Sequence, residues 1–204
     1  MSIQSTTRDM LISEGLRQML AHGYEGIGIG PVLSAMNVPK GSFYYFFKSK
    51  DDFVLSILDA YEARYRTMRE ALLADPNLTS LQKLDRYFEV IEEELLDHHP
   101  SGGCLYGVLA QTVTARDAAI RTRLARSYET WHAAIVEILE GARKAGEIDA
   151  TSDTAELATD IIDAYEGTLI RMKATDDPAA FRRFRTRTIP RLLSVAMVQS
   201  TATP

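Results

Sequence analysis

The three residues Asn37-Val38-Pro39 separate two short helical stretches and leave space for nothing longer than a tight turn. Upstream, Ile29, Val32, Leu33 and Met36 fall at the spacing of a helix with one buried stripe. Pro39 cannot extend that helix, yet it suits the first turn of another, and the residue before a proline is pushed out of the helical region. Asn37 and Val38 are therefore the turn. Beyond it, Phe43 and Phe47 stand four apart and pack one face inward, with Gly41 leaving room for a close neighbour. Lys40, Ser42, Tyr44 and Tyr45 are left on the outside.

An outward face of this kind suits double-stranded DNA. Hydroxyls and ammonium groups bond phosphate oxygens, and a single helix fits the major groove. The start of such a helix adds unpaired N–H groups and partial positive charge. Lys48 and Lys50 follow directly, so Lys40, Ser42, Tyr44, Tyr45, Lys48 and Lys50 are the candidate DNA contacts. Taken singly, tyrosines and lysines also make an ordinary solvated face. The order of turn, proline, glycine and aromatics is what singles this segment out.

These residues resemble the TetR family of one-component transcriptional repressors. The likeness rests on Gly23-Tyr24, on the run from Val38 to Phe47 (VPKGSFYYFF) and on Lys48-Ser49-Lys50-Asp51-Asp52-Phe53. It covers residues 8–60 closely and the remainder in outline. Gly28, Ile29, Gly30 and Pro31 depart from it, standing where relatives offer threonine and charged groups, so the helix before the turn is expected to contribute few DNA contacts. The resemblance implies an all-α fold: an N-terminal three-helix helix-turn-helix DNA-binding domain over residues 1–50 and a C-terminal helical ligand-binding and dimerisation domain over 51–204. It implies partners as well, namely an operator duplex, a small-molecule effector and a second copy of the chain.

A net charge of -5 over 204 residues seems at odds with DNA until it is divided by region. Residues 1–50 hold five basic side chains (Arg8, Arg17, Lys40, Lys48, Lys50) against three acidic ones (Asp9, Glu14, Glu25), which leaves +2 there and -7 elsewhere. Screening confines each charge to a reach of about 8–10 Å, so a local basic footprint can sit on an acidic protein. No apolar run approaches a membrane span, the N-terminus lacks a secretory pattern, and one cysteine forbids an internal disulfide. A cytoplasmic location without membrane contact is the expectation.

Periodicity and punctuation place the other helices. A first helix is expected over 7–22, with Met10, Leu11, Leu16, Met19 and Leu20 inward and Gly23 ending it. Ser49 and Asp52 form a capping box for a fourth helix that runs to Ala74, before Asp75-Pro76-Asn77. A fifth spans 80–98 behind Thr79, with Leu81, Leu84, Phe88, Ile91 and Leu95 inward, and a loop follows over 99–103. Then come a short apolar segment over 104–112, a long helix over 116–145 closed by Gly146, and a helix from the Asp153/Glu156 box to Lys173. A last helix starts at Asp177-Pro178 and reaches Val198, with a kink at Pro190. No segment of useful length has β-period.

The last two helices carry wide apolar stripes (Leu157, Ile161, Ala164, Leu169, Ile189, Leu192, Leu193, Met197). Such stripes fill a subunit core or face a partner; the family resemblance implies a four-helix dimer interface, matched to a palindromic operator. Tyr87, Phe88, Tyr106, Tyr128, Trp131, Tyr165 and Met172 supply enough aromatic and soft surface for an apolar effector cavity, and equally for a packed core.

The segments GCLYGVLAQ from Gly103 and YEGTLIRMK from Tyr165 are similar to a narrower branch of the family, the AcuR- and NemR-like regulators, although Val108 and Thr112 replace a common asparagine and glutamate. That likeness implies a response to acrylate-type, electrophilic or oxidising compounds. Cys104 starts a helix after two glycines, where backbone N–H groups and the dipole favour thiolate. Thiolate adds to an activated alkene or is oxidised to sulfenic acid; a buried cysteine that does neither is the alternative, as is a non-covalent carboxylate or aromatic effector. The branch resemblance implies that Lys173 lies near Cys104, where it would add positive charge. Cys104, Tyr106, Tyr128, Trp131, Tyr165 and Lys173 are accordingly the candidate effector residues.

Two other function classes compete. Glu129-Thr130-Trp131-His132 is a Glu-x-x-His step of the type that builds di-iron sites in helical bundles, but a second copy is missing, and the run Asp97-His98-His99 has no matching ligand cluster. With no phosphate-cradling loop and no nucleophilic triad, no catalytic residue, metal or cofactor is expected. A helical protein-interaction module that has lost DNA binding is the other rival, sustained by the small positive charge of the head.

Overall fold

The structure is a computed structural model that describes residues 3–98 and 103–199, with side chains over 7–97 and 103–194. Among these residues there are helices and no strands: α1 (Ile3–Gly26), α2 (Ile29–Ala35), α3 (Lys40–Phe46), α4 (Lys50–Ala74), α5 (Ser80–His98), α6 (Leu105–Thr112), α7 (Ala118–Lys144), α8 (Thr154–Thr175), α9 (Ala179–Arg183), a π-helical turn (Phe184–Thr188) and α10 (Ile189–Gln199). The all-α expectation holds. Packing groups the chain into two compact units, Met1–Tyr65 with Gly102–Ser127, and Arg66–Ser101 with Tyr128–Pro204. The functional boundary expected after residue 50 is a different division: the first unit also takes in the first part of α4, all of α6 and the start of α7.

Local signals account for most helix ends. Gly23 breaks α1 with φ 71°, a left-handed value that favours glycine, and a last turn follows to Gly26. At the start of α4, Ser49 Oγ accepts the Asp52 N–H at 3.1 Å, while the Asp52 carboxylate takes the Lys48 N–H at 2.7 Å, one residue earlier than in a standard capping box. Thr79 and Gln82 exchange the same kind of bonds at the start of α5. Glu147, in the turn after α7, adds its carboxylate to the N–H groups of Ser80 and Leu81 and to the Thr79 hydroxyl. Burial acts to raise its pKa, but those donors outweigh it and hold the group below the ordinary 4.5. Asp153 accepts from Ala155 and Glu156 to open α8.

The irregularity expected at Pro190 is a π-helical turn over Phe184–Thr188, just ahead of the proline. A proline inside a helix has no N–H to give and crowds the carbonyl four residues back, and a widened turn is one way a helix absorbs both. The same turn sets Phe184 inward and places Arg185 against Asp85, Glu89 and the buried Glu92, which Arg182 also reaches.

Some inward assignments were wrong. Met10 is 44% exposed, because Leu11, Met19 and Leu20 already define the buried face of α1 and Met10 lies off it. The stripe residues on the last two helices are mostly interior to the subunit: Leu157, Ile161, Leu169, Ile189 and Leu193 are buried, Ala164 and Leu192 half-buried, and the side chain of Met197 lies outside the described residues. Aromatic packing from α5 and α9 needs that face.

Candidate nucleic-acid interface

The turn between α2 and α3 is a Schellman closure. Asn37 adopts a left-handed φ of 52°, the Val38 N–H bonds Leu33 O at 2.9 Å and the Asn37 N–H bonds Ser34 O at 3.3 Å. Asparagine tolerates that conformation better than most side chains. Pro39 then caps α3, its carbonyl accepting the Ser42 N–H at 2.9 Å. A seven-residue helix is too short to hold itself together. What holds it is Phe43, fully buried, with ring centroids 5.2 Å from Phe47 and 5.3 Å from Phe53 of α4.

That anchorage turns the opposite face outward. Tyr44 and Tyr45 are 57% and 68% exposed, Lys40 and Lys48 are exposed, and Ser42 is half-buried. Lys40 and Lys48 have no acidic partner among the described residues. Lys50 differs: it is half-buried with its ammonium 4.5 Å from the centre of the Tyr24 ring. The other basic groups of the head are engaged too, Arg8 over the Phe47 ring and on Ser56, Arg17 on Glu14. Gly41 has open space where a Cβ would stand, not the close neighbour expected for it, and Gly30 is equally open.

Tyr24 is the hub behind this face. Its hydroxyl donates to Asp51 at 2.8 Å, and its backbone N–H donates to Thr112 Oγ1 at 3.0 Å. Burial, then the Asp51 and Asp117 carboxylates, push its phenol far up, so it stays a donor. The sequence marks Tyr24, Asp51 and Thr112 through resemblance alone, does not mark Asp117, and gives none of the contacts among them. No local pattern marks them, since the partners lie 27 and 88 residues apart.

The candidate effector residues divide between the units. In the first, Cys104 is buried as the N-cap of α6 and accepts a hydrogen bond from Tyr61 Oη at 3.7 Å. Tyr61 stacks edgewise on Tyr106 at 5.5 Å and leans on Tyr65 at 4.7 Å. Burial, followed by Glu62 and Cys104, pushes the Tyr106 phenol up. Glu62 is itself bound by Arg123 at 2.7 Å and by the buried Ser127 at 3.0 Å. In the second unit, Trp131 packs between Tyr128 and Tyr165, and Tyr165 continues into Phe88, Phe181 and Phe184. Tyr128 donates to Glu166 at 3.0 Å, and Lys173 is exposed late in α8. Tyr61, Glu62, Arg123 and Ser127 were not foreseen; the i, i+4 pairs Tyr61/Tyr65 and Arg123/Ser127 were the available signal.

The Glu-x-x-His step does not gather ligands. His132 Nε2 lies 3.0 Å from Ala155 O and 3.2 Å from Thr159 Oγ1, and among the described residues no three metal-ligating side chains cluster. His99, and the side chain of His98, lie outside the described residues.

Comparison with known proteins agrees with this geometry. Residues 11–57 match the model for bacterial regulatory proteins of the tetR family, and residues 80–188 match the tetracyclin repressor-like C-terminal domain. The transcriptional regulator AcuR of Cereibacter sphaeroides is 32% identical over 92% of this chain and 85% of its own length. The chain belongs to the TetR family. It is a helix-turn-helix DNA-binding transcriptional regulator, and the matched residues 11–57 take in α2 and α3. Another TetR-family relative, the HTH-type transcriptional repressor NemR of Escherichia coli, is 27% identical over 68% of this chain and 69% of its own. The crystal structure of regulatory protein TetR from Rhodobacter sphaeroides superposes with a TM-score of 0.84 at 32% identity, covering 90% of this chain and 97% of that one.

Proposed function

We propose that this regulator is a homodimeric repressor that holds a palindromic operator until a small-molecule effector, or chemical modification of Cys104, releases it. The observation that carries the DNA half is the outward set Lys40, Ser42, Tyr44, Tyr45 and Lys48 on and beside a helix anchored from behind by Phe43, Phe47 and Phe53. Lys50 completes the set by holding Tyr24 in place and adding charge nearby. In this reading residues 1–50 are the DNA-binding head and 51–204 serve effector binding and dimerisation, in the cytoplasm. Among the described residues no helix is long and apolar enough to cross a membrane. No catalytic group, metal or cofactor takes part.

Repression is supported by the likeness to NemR, an HTH-type transcriptional repressor. Dimerisation is supported by complementary charge within one unit: Glu156, Asp160 and Asp163 point outward on α8, and Arg187 and Arg191 point outward on the terminal helices. A two-fold axis can set one group against the other twice over. Release needs an effector that favours the DNA-incompetent form, with α4, which begins beside the reading helix, as the lever. At Cys104 an activated alkene would form a bond from sulfur to its β-carbon as the thiol proton leaves, the π bond breaks and the α-carbon takes up a proton. Tyr106, Tyr128, Trp131, Tyr165 and Lys173 are the effector contacts of the non-covalent version.

Footprinting of the chain's own upstream DNA, with and without acrylate and N-ethylmaleimide, tests this for wild type and Cys104→Ser. A protected palindrome lost on treatment of wild type but kept in C104S supports the covalent mechanism. Loss in both supports a non-covalent effector; absence of any protected duplex at moderate salt defeats the proposal.

A further inference from the structure

We infer that a cleft between the start of α5, the turn after α7 and the start of α10 is a second small-molecule site, shaped for a neutral molecule with a hydrocarbon body. It is separate from the effector residues proposed above: Cys104, Tyr106, Tyr128, Trp131, Tyr165 and Lys173 all lie outside its walls.

The cleft measures about 340 Å³, near the lower end of the roughly 300–1,000 Å³ of ordinary ligand sites. Its walls are Leu81 and Leu84 of α5, Ile148 of the turn, and Ile189, Pro190 and Leu193 of α10. Leu81 and Leu84, three apart, share one helix face, as do Ile189 and Leu193, four apart. Pro190 adds ring carbons and has no N–H to present.

Two polar braces keep these walls apart, and both line the cleft. At one end Arg185 of the π-helical turn reaches across to α5, where it meets the two carboxylate oxygens of Asp85 at 2.9 and 3.0 Å and the buried Glu92 at 3.0 Å. At the other end Glu147 of the turn accepts the N–H groups of Ser80 and Leu81 at 3.0 Å each and the Thr79 hydroxyl at 2.6 Å. The apolar side chains between the braces cannot close up without breaking charge-assisted hydrogen bonds. A site held open in this way binds without paying for rearrangement.

Charge decides the occupant. Arg185 already faces three carboxylates, those of Asp85, Glu89 and Glu92, so a ligand carboxylate would have to displace one of them. A ligand ammonium meets Asp85 and Glu147. The first is bound to Arg185 and its side chain is 56% exposed, where water screens an added charge, and the second is committed to its three donors. Ser194, the remaining polar residue of the lining, gives its hydroxyl to Arg191 O at 2.9 Å. Affinity therefore comes from covering the apolar walls, and neither sign of charge adds to it.

Methyl NMR of the full-length chain, with Ile and Leu methyls labelled, tests this with 1-octanol, octanoate and octylammonium. 1-Octanol should shift the methyls of Leu81, Leu84, Ile148, Ile189 and Leu193 with a Kd of about 1 mM or tighter, and leave those of Leu11, Leu20 and Ile57 in the other unit in place. Octanoate should bind at least about tenfold more weakly, and octylammonium no more tightly than the alcohol. Ser194→Trp, which lays an indole over the cleft, should abolish the shifts. Leu81→Glu, which puts a carboxylate into the wall, should do the same and serves where S194W does not fold. The inference is overturned by an alcohol that moves no cleft methyl, by octanoate matching the alcohol or octylammonium exceeding it, or by shifts that persist in the folded variants. Cleft methyls that move on dilution of the protein, and not with the alcohol, mean that a second copy covers this face and overturn it too. None of these outcomes involves DNA, so the regulator reading stands or falls separately.

Discussion

The reading head and the second unit both rest on clustered aromatic rings, yet they use them in opposite ways. In the head, Phe43, Phe47 and Phe53 are buried while Tyr44 and Tyr45, on the same short helix, stand in solvent. In the second unit Phe88, Tyr165, Phe181, Phe184 and Trp131 are all turned inside, and even the charged Glu92 is buried under Arg182 and Arg185. The head leaves Lys40 and Lys48 without acidic partners among the described residues, whereas the second unit pairs Arg185 three times. The head keeps aromatic and basic side chains outside a buried aromatic base, while the second unit packs those aromatic rings into its own interior.

The sharpest way to break this contrast is within α3. Phe43→Ala should cost about 3–5 kcal/mol of stability in urea or thermal unfolding and abolish DNA binding. Tyr44→Ala, one residue on, should leave stability within about 0.5 kcal/mol and weaken operator binding at least about tenfold. Equal stability losses would mean that the exposed tyrosine is structural and the contrast false. In the second unit, Arg185→Ala strands Glu92 with Arg182 alone and should destabilise by about 3 kcal/mol, without altering the DNA sequence preferred.

Salt dependence sharpens the electrostatic side. With two outward lysines per subunit, a dimer's binding constant should fall with a log–log salt slope of about -4, and Lys48→Ala should flatten the slope by about one unit per altered contact while weakening all duplexes alike. A steeper slope would place unassigned basic groups on the DNA. The smallest effect concerns the Glu147 cap. Glu147→Gln should cost about 1 kcal/mol at neutral pH. Because the folded carboxylate sits below the ordinary 4.5, its stabilisation is complete above that value and is lost as pH falls through the folded pKa. The gap between wild type and E147Q should therefore close in acid.

How much of this was legible in advance follows from range. The ends of α4 at Ala74 and α5 at His98, the turn at Asn37 and the stop at Gly146 were readable because each depends on a few neighbouring residues. The outward placement of Lys40, Tyr44 and Tyr45 was readable for the same reason, since Phe43 and Phe47 specify which side of so short a helix is buried. Lys50 looked like its neighbours, and only Tyr24, 26 positions earlier, makes it different. The apolar stripes of α8 and α10 could not be divided between core and partner, because periodicity reports that a face is apolar and not what covers it.

By itself, then, the order of residues determined an all-helical chain, its punctuation, and a short helix with tyrosines and lysines on its free side, because backbone preference and amphipathic spacing act over one or two turns. Tertiary structure decided which lysines are engaged, that most of the described stripe residues on α8 and α10 point inward, that Tyr61 meets Cys104 and Tyr106 at the start of α6, and that Thr112 meets Tyr24. Those facts depend on groups tens of residues apart being brought within 3–6 Å, and no local pattern encodes such a meeting.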